Sequence, residues 1–491
     1  MQTIVQRWKR TVLAGTVLAV GAWLAMPQAW AEEKEKTKTE RGEKKNKPSA
    51  KELDQEKAKR EAQQKAVEQR KKEEKERIAA LAWKPSHKQT SVFEADITLH
   101  NFCLNIDGNL LAACGGELVA TAPGKKPGEP RRTIFEPAEI RILSPEGKLL
   151  KTWPMEFKPE AVCVADDGTI FVAGAGRMAK LDQSGKVLLA TNSPQVSELP
   201  PLPEPVKEDE AAKVAREKKV EQLEAKVKKA QEAYRKARRE AKLPEDEDVA
   251  DELGDRSTAA QVLLIKEPME KLTAAQQELE KASISPEMLV MRKREEIREK
   301  AAVNGIAVTK GDVFVACRMA KTYGFAVWRV DRDFANAKKI IEGLRGCCGQ
   351  MDIQAKDGEV WVAHNAAHKV ERYDRDGKKL SSFGKSDSKA ADGFGGCCEP
   401  KNLRFGPKGE LYTSESSPQV VIKRFAPDGK FLGVVGLPAY STGCTNVPIE
   451  VSRDGRQVYI LNPNKKVHVL TKRPAEPAKT GESEKKEQPA K

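Results

Sequence analysis

Apolar and polar residues alternate in short runs through much of the chain, and the runs come in pairs separated by a turn that ends in glycine. One such unit occurs six times: FCLNIDGNLLAAC (102–114), AVCVADDGTIFVAG (161–174), GIAVTKGDVFVAC (305–317), MDIQAKDGEVWVAH (351–364), NLRFGPKGELYTSE (402–415) and PIEVSRDGRQVYILN (448–462). Asp-Gly and Lys-Gly between β-branched runs are hairpin signals, because glycine accepts the positive φ that tight turns require. Each unit therefore predicts two antiparallel strands. Four units continue into a third and fourth strand: IRILSPEGKLLKTW (140–153), MAKLDQSGKVLLAT (178–191), VERYDRDGKKLSSFG (370–384) and VIKRFAPDGKFLGVVG (421–436). A less regular pair, FAVWRVDRDFANAKKII (325–341), follows the third unit.

Four-stranded units repeated at this spacing predict the blades of an all-β, six-bladed propeller, since ring closure leaves only short sheet edges. The sixth unit has a third strand, KVHVL (466–470), and no fourth, while SVFEADI (91–97) precedes the first unit with strand alternation. The N-terminal segment is therefore expected to complete the sixth blade as a latch. The fifth unit, NLRFGPKGELYTSES with VIKRFAPDGKFLGVVG, resembles the NHL repeat and its TolB-like propeller architecture. The resemblance covers residues 91–471 less their insertions and is clearest in units two, four and five. Unit one departs from it through a Gly/Pro-rich insertion, 115–137. NHL propellers include adhesion and scaffold modules, RNA-binding modules and some metal-dependent lyases, so the resemblance implies the fold more than an activity.

Between blades two and three the strand signal stops. Val220, Val227 and Tyr234, with Leu223, Ala230 and Ala237, make an a/d seam on a charged helix, and Leu272, Ala275, Leu279 and Ala282 repeat the register. These predict an inserted α-helical coiled-coil hairpin, with Pro286 opening a third helical stretch to about Ala301. Pairing of these helices between chains, as self-association, is the alternative.

Composition adds the flanks. The charged fraction is 33% and the aromatic fraction 5%, with Lys/Glu/Gln mixtures at 32–78 and 472–491 that cannot bury enough surface to offset ordering. Arg7, Lys9 and Arg10, an apolar run from Thr11 to Met26, and Ala29-Trp30-Ala31 form a secretory signal pattern with cleavage expected after Ala31. An uncleaved anchor needs a longer apolar run and no cleavage pattern. The expected organisation is a signal peptide at 1–31, a charged linker at 32–88 and blades one and two at 89–193. The helical insertion follows at 194–303, blades three to six at 304–471, and a charged tail at 472–491. A periplasmic or secreted location follows, with no membrane span after cleavage. The formal net charge of +14 is spread over Lys residues interleaved with Glu, so a protein or cell-envelope partner is expected and nucleic acid is not.

Nine cysteines in an exported chain direct attention to disulfides, and an odd number leaves one over. Aligned on the repeat, Cys348, Cys398 and Cys444 share one position ahead of the first strand, with Cys347 and Cys397 one residue earlier. Cys114, Cys317 and His364 close second strands, and both kinds of position lie on one face of a propeller. Seven cysteines and His364 are thus expected around one mouth of the channel. Three readings stand: disulfides between neighbouring blades, a copper or zinc site built from His364, Cys348, Cys398 and Cys444, or a redox-active dithiol. Cys103 and Cys163 lie within first strands and read as buried thiols. His368, in a turn, is a further donor for a metal or a solvated residue.

In metal-dependent NHL lyases the family implies several channel histidines, whereas this chain has one axial histidine. No Gly-x-Ser-x-Gly elbow, phosphate-cradling glycine loop or His-Glu-x-x-His is present, and catalytic residues are not identified. The Gly-rich loop at 384–396 is expected as a mobile wall of the mouth. The leading reading is an exported scaffold that binds a partner through a cysteine-lined axial face. The alternative is a copper- or zinc-dependent or thiol-redox enzyme at the same place.

Overall fold

In a computed structural model, residues 84–120, 133–243, 259–346, 350–417, 419–440, 443–463 and 465–474 are described. The signal pattern, most of the charged linker and most of the tail lie outside them. Each hairpin unit of the sequence becomes the inner half of a four-stranded antiparallel sheet, giving six such sheets in chain order. Their first strands are Leu99–Leu104, Ala161–Val164, Val303–Val308, Ile353–Lys356, Asn402–Phe405 and Ile449–Val451. Among the described residues the architecture is all-β and propeller-like, with three α-helices inserted between the second and third sheets.

The sixth sheet takes its fourth strand from the start of the chain. His87–Glu94 runs antiparallel to Lys466–Lys472, with Phe93 opposite Val467. The latch thus begins four residues earlier than expected, and two before the boundary set at 89. Ile97 falls beyond it, in the apolar cluster between sheets six and one. The third sheet likewise begins at Val303 rather than 304.

Why the second strands read as nearly continuous apolar runs is clear from their packing. Strand geometry sends alternate side chains to opposite faces, and here both faces are covered. Leu111 and Ala113 pack against the second sheet, while Leu110, Ala112 and Cys114 pack against the sixth. Fourth strands such as Leu149–Pro154 are largely exposed and polar-tolerant. The core is a set of apolar wedges between consecutive sheets: one with two, two with three, three with four, four with five, and five with six. A further wedge joins sheet six to sheet one. First strands also lie against one another in the same cyclic order, the sixth against the first.

Two glycine turns show how neighbours index one another. Gly185, at φ +89°, sits beneath Trp153 from the preceding sheet, and a Cβ there would come within 2.2 Å of the indole. Gly147 sits in the same way beneath Phe93 of the latch, at φ +88°. The latch therefore serves sheet one as the fourth strand of sheet one serves sheet two.

The insertion forms helices α1 (Glu210–Glu240), α2 (Ala259–Ser283) and α3 (Pro286–Ala301). Asp209 caps α1 by accepting the Ala212 N–H, and Ser285 caps α3 by accepting that of Met288. The seam residues Val220, Leu223, Val227, Ala230, Tyr234 and Ala237 are shielded along α1, together with Arg238, and Leu272, Ala275, Leu279 and Ala282 are shielded along α2. Ala241 meets Gln261, Tyr234 meets Met269, and Lys226 pairs with Glu278, so the two helices run antiparallel within one chain. No helix among the described residues is long and apolar enough to cross a membrane.

Candidate functional site

First strands start, and second strands end, around one cavity of about 1090 Å³. Sheet one contributes His100 and Gly116, sheet two Lys158, Glu160 and Arg177, and sheet three Asn304 and Arg318. Gln350 comes from sheet four, and Thr445, Asn446 and Asn462 come from sheet six. The insertion supplies an apolar wall, Val196, Leu199–Leu202, Ile297, Ala301 and Ala302, with Arg298 and Glu299 of α3 beside it. Both ends of the insertion meet here, with the Gln195 side chain donating to the Ala301 carbonyl at 3.0 Å.

The polar groups of this cavity are ordered by the backbone around them. Glu160 accepts from the Ala175 N–H at 3.0 Å and the Val303 N–H at 2.9 Å, tying sheet two to sheet three. Lys158 pairs with Glu117, and Arg318 with Glu299 at 3.1 Å. His100 donates to the Gly115 carbonyl at 2.7 Å, and burial, assisted by Lys158, lowers its pKa. Arg177 keeps a buried Nε with no hydrogen-bond partner. With Lys158, Arg177, Arg298 and Arg318 against Glu160 and Glu299, the lining is cationic on balance.

A second cluster stands where sheets five and six begin. The Sγ atoms of Cys397, Cys398 and Cys444 lie 2.8 to 3.3 Å from one another. Lys401, wholly buried, donates to Cys398 Sγ at 2.8 Å and to Cys444 Sγ at 3.0 Å. Burial opposes the charge of Lys401, but Glu399 and the sulfurs outweigh it and its pKa is raised. The Glu399 carboxyl is pushed up to about 8 by burial, against the pull of Lys401. Its Oε1 accepts from both the backbone and the hydroxyl of Ser416 and from the Ser417 N–H.

Cys398 and Cys444, which share one repeat position, thus lie together, and Cys397 joins them. Cys347 and Cys348 lie outside the described residues. Cys114 and Cys317 do not join the cluster. Strand alternation turns Cys114 into the wedge between sheets six and one and packs Cys317 against Ala326 and Trp328 of its own sheet, and both are fully buried and not disulfide-bonded. Burial raises the Cys317 thiol and pushes Cys114 up to about 12. Nor does the cavity have a cysteine in its lining among the described residues, although Cys444 adjoins Thr445, which does line it. The expectation of one cysteine-lined mouth is corrected to two neighbouring features, a cationic cavity and a three-sulfur cluster.

His364 is also elsewhere engaged. Its Nε2 accepts the Arg345 N–H at 3.0 Å, and its Nδ1 donates to Glu371 at 3.0 Å, so both ring nitrogens are committed and the grouping with Cys398 and Cys444 fails. His368 has an unpartnered buried Nδ1, and burial, with Lys401, lowers its pKa. Cys103 is buried and Cys163 partly so, with both thiols raised by burial. The 384–396 loop is pinned rather than a mobile wall: Phe394 is fully buried between sheets four and five, and the Gly395 N–H donates to Glu415 at 2.7 Å.

Three charged residues at the centre escaped the sequence reading. Arg404, on the first strand of sheet five, donates to Asp352 at 2.9 Å ahead of sheet four and lies 3.6 Å from Glu450 on sheet six. It also reaches Asn101 on sheet one at 3.3 Å. A charge inside an otherwise apolar strand, as in NLRF and PIEV, is the signal that points to such a group.

No family model matches the chain, and no curated protein matches it. Among solved structures, one titled "Crystal Structure of Mitotic Checkpoint Complex" superposes with a TM-score of 0.38 at 9% identity, covering 79% of this chain and 92% of that one.

Proposed function

We propose that this chain is an exported six-bladed propeller of the NHL type that works as a binding module, seating an acidic segment of a partner protein in its axial cavity. The observation that carries this reading is the cavity itself. Five sheets and the inserted helix converge on it, its lining is cationic, and it has an apolar wall suited to anchoring side chains. The cyclic order of wedges and the N-terminal latch support six closed blades, and the turn pattern supports the NHL type. Export rests on the sequence pattern at 1–31 and predicts a mature chain beginning at Glu32, which N-terminal sequencing checks.

The binding claim is tested by placing a photo-crosslinking amino acid at Thr445 on the cavity and irradiating producing cells. A defined protein adduct is expected, lost when Arg177→Glu and Arg318→Glu reverse the local charge. Adducts that survive the reversal, or that form equally from Leu380 on an exposed fourth strand, remove the cavity as the binding site. A second reading, a metal-dependent or thiol-redox protein, is favoured by one observation, the convergence of Cys397, Cys398 and Cys444.

A further inference from the structure

We infer that Cys397, Cys398 and Cys444 form a three-thiolate site for a thiophilic closed-shell metal ion, Cu(I) or Zn(II), with Lys401 as its buried counter-cation. The inference deepens the second reading above and is independent of the axial cavity. Three sulfurs from two sheets have ligand atoms within 4.8 Å of one another. Around a metal with M–S near 2.3 Å, sulfurs stand about 3.8–4.0 Å apart. The observed 2.8, 3.2 and 3.3 Å are shorter, so an ion has to part the sulfurs by about 0.5–1.2 Å rather than gather them. None is the roughly 2.05 Å of a bonded pair.

Lys401 is the second, independent observation. A buried ammonium requires an anionic or strongly accepting partner. Its hydrogen-bond acceptors are two cysteine sulfurs; the nearby Glu399 carboxylate attracts the ammonium through space, but its own hydrogen bonds are to Ser416 and Ser417. A neutral thiol is a weak acceptor and a thiolate a good one, so this arrangement is built for sulfur in its anionic, metal-ligating form. On binding, each ligating thiol gives its proton to solvent and Lys401 stays protonated. Of the three negative charges of the thiolates, Lys401 offsets one and the ion one or two. Soft sulfur donors select these ions over Mg²⁺ or Ca²⁺.

The experiment uses the full mature chain, purified anaerobically. Cu(I) is titrated against bicinchoninate and Zn(II) against a chromophoric chelator, with X-ray absorption on the loaded protein. One equivalent of one of the two ions should bind in a sulfur shell near 2.2–2.3 Å. Cys398→Ser and Cys444→Ser should each lose at least 100-fold in affinity, and Lys401→Met about 10–100-fold. Cys163→Ser, in a different wedge, should bind as the parent does, as should the Arg177→Glu, Arg318→Glu pair. Circular dichroism identifies any variant that fails to fold, and Cys444, the less buried ligand, then decides. Absence of competitive binding by both ions, a Cys444→Ser protein that binds normally, or recovery of Cys398 bridged to Cys444 from the native protein overturns the inference.

Discussion

Replacing Arg404 by Met tests whether four sheets meet at a dry centre. The guanidinium is buried, donates to Asp352 and Asn101 and faces Glu450, so its removal strands two carboxylates contributed by sheets four and six. Burial raises both carboxyls, with Arg404 opposing the rise. Removing one member of a buried ion pair costs about 3–5 kcal/mol, because the remaining charge keeps its desolvation penalty. That corresponds to roughly 10²–10⁴-fold in the ratio of folded to unfolded chains. The comparison is Arg372→Met, which also breaks a close pair, with Glu359 at 2.6 Å, but at a site about a third exposed. There the cost should stay below about 1 kcal/mol. Guanidinium unfolding followed by tryptophan fluorescence reads both, with the parent chain alongside. Adding Asp352→Asn to Arg404→Met should recover part of the loss, since one stranded charge is gone. If Arg404→Met and Arg372→Met cost the same, the first strands do not share an anhydrous centre and the ring reading fails with them.

The latch gives a second test: Phe93→Ala should cost about 1–3 kcal/mol, less than a fully buried phenylalanine, whereas deleting 32–80 should leave the unfolding midpoint unchanged. A cost below 0.5 kcal/mol for Phe93→Ala counts against its role over Gly147. Acid should act through Glu371, where burial works to raise the carboxyl but bonds from His364, Lys379 and Tyr373 prevail and hold it at about 2. Since that lies below its unfolded value of 4.5, the stabilisation is complete above pH 4.5 and fades as pH falls toward 2, about 3 kcal/mol in all. The stability gap between parent and Glu371→Gln, measured in urea, should therefore narrow between pH 5 and 3, and a constant gap contradicts the assignment. Lys423→Met leaves Glu415 buried without its cation, which should cost about 3–5 kcal/mol. It should also speed amide exchange at Phe394 and Gly395, and unchanged exchange there excludes the pinning of the 384–396 loop.

Repeats were the most legible part of this chain because each hairpin announces itself twice, through a glycine turn and through alternation on either side. The helical seam was equally plain, since Val220 to Ala237 and Leu272 to Ala282 keep one spacing. The latch was placed a few residues late because HKQT reads as linker by composition, and only pairing with Lys466–Lys472 makes it a strand. Register located Cys398 and Cys444 together, as backbone position alone fixes them. It failed for Cys114 and Cys317 because position along a strand does not say which face a side chain takes. Lys401, Arg404 and Glu450 were missed for a different reason: hydropathy assigns charge to the surface, and only the fold reveals that each has a buried partner.

The opening strand of the fold and its hydrogen-bonding partner lie some 370 residues apart in the chain. At 5–20 residues per second, His87–Glu94 leaves the ribosome roughly 20 to 75 s before the strand it needs, and during translation it has nothing to pair with. An apolar ribbon left waiting that long would recruit other nascent chains. This one carries Lys88, Gln89, Ser91 and Glu94, a polar lining that keeps it soluble until the last sheet arrives.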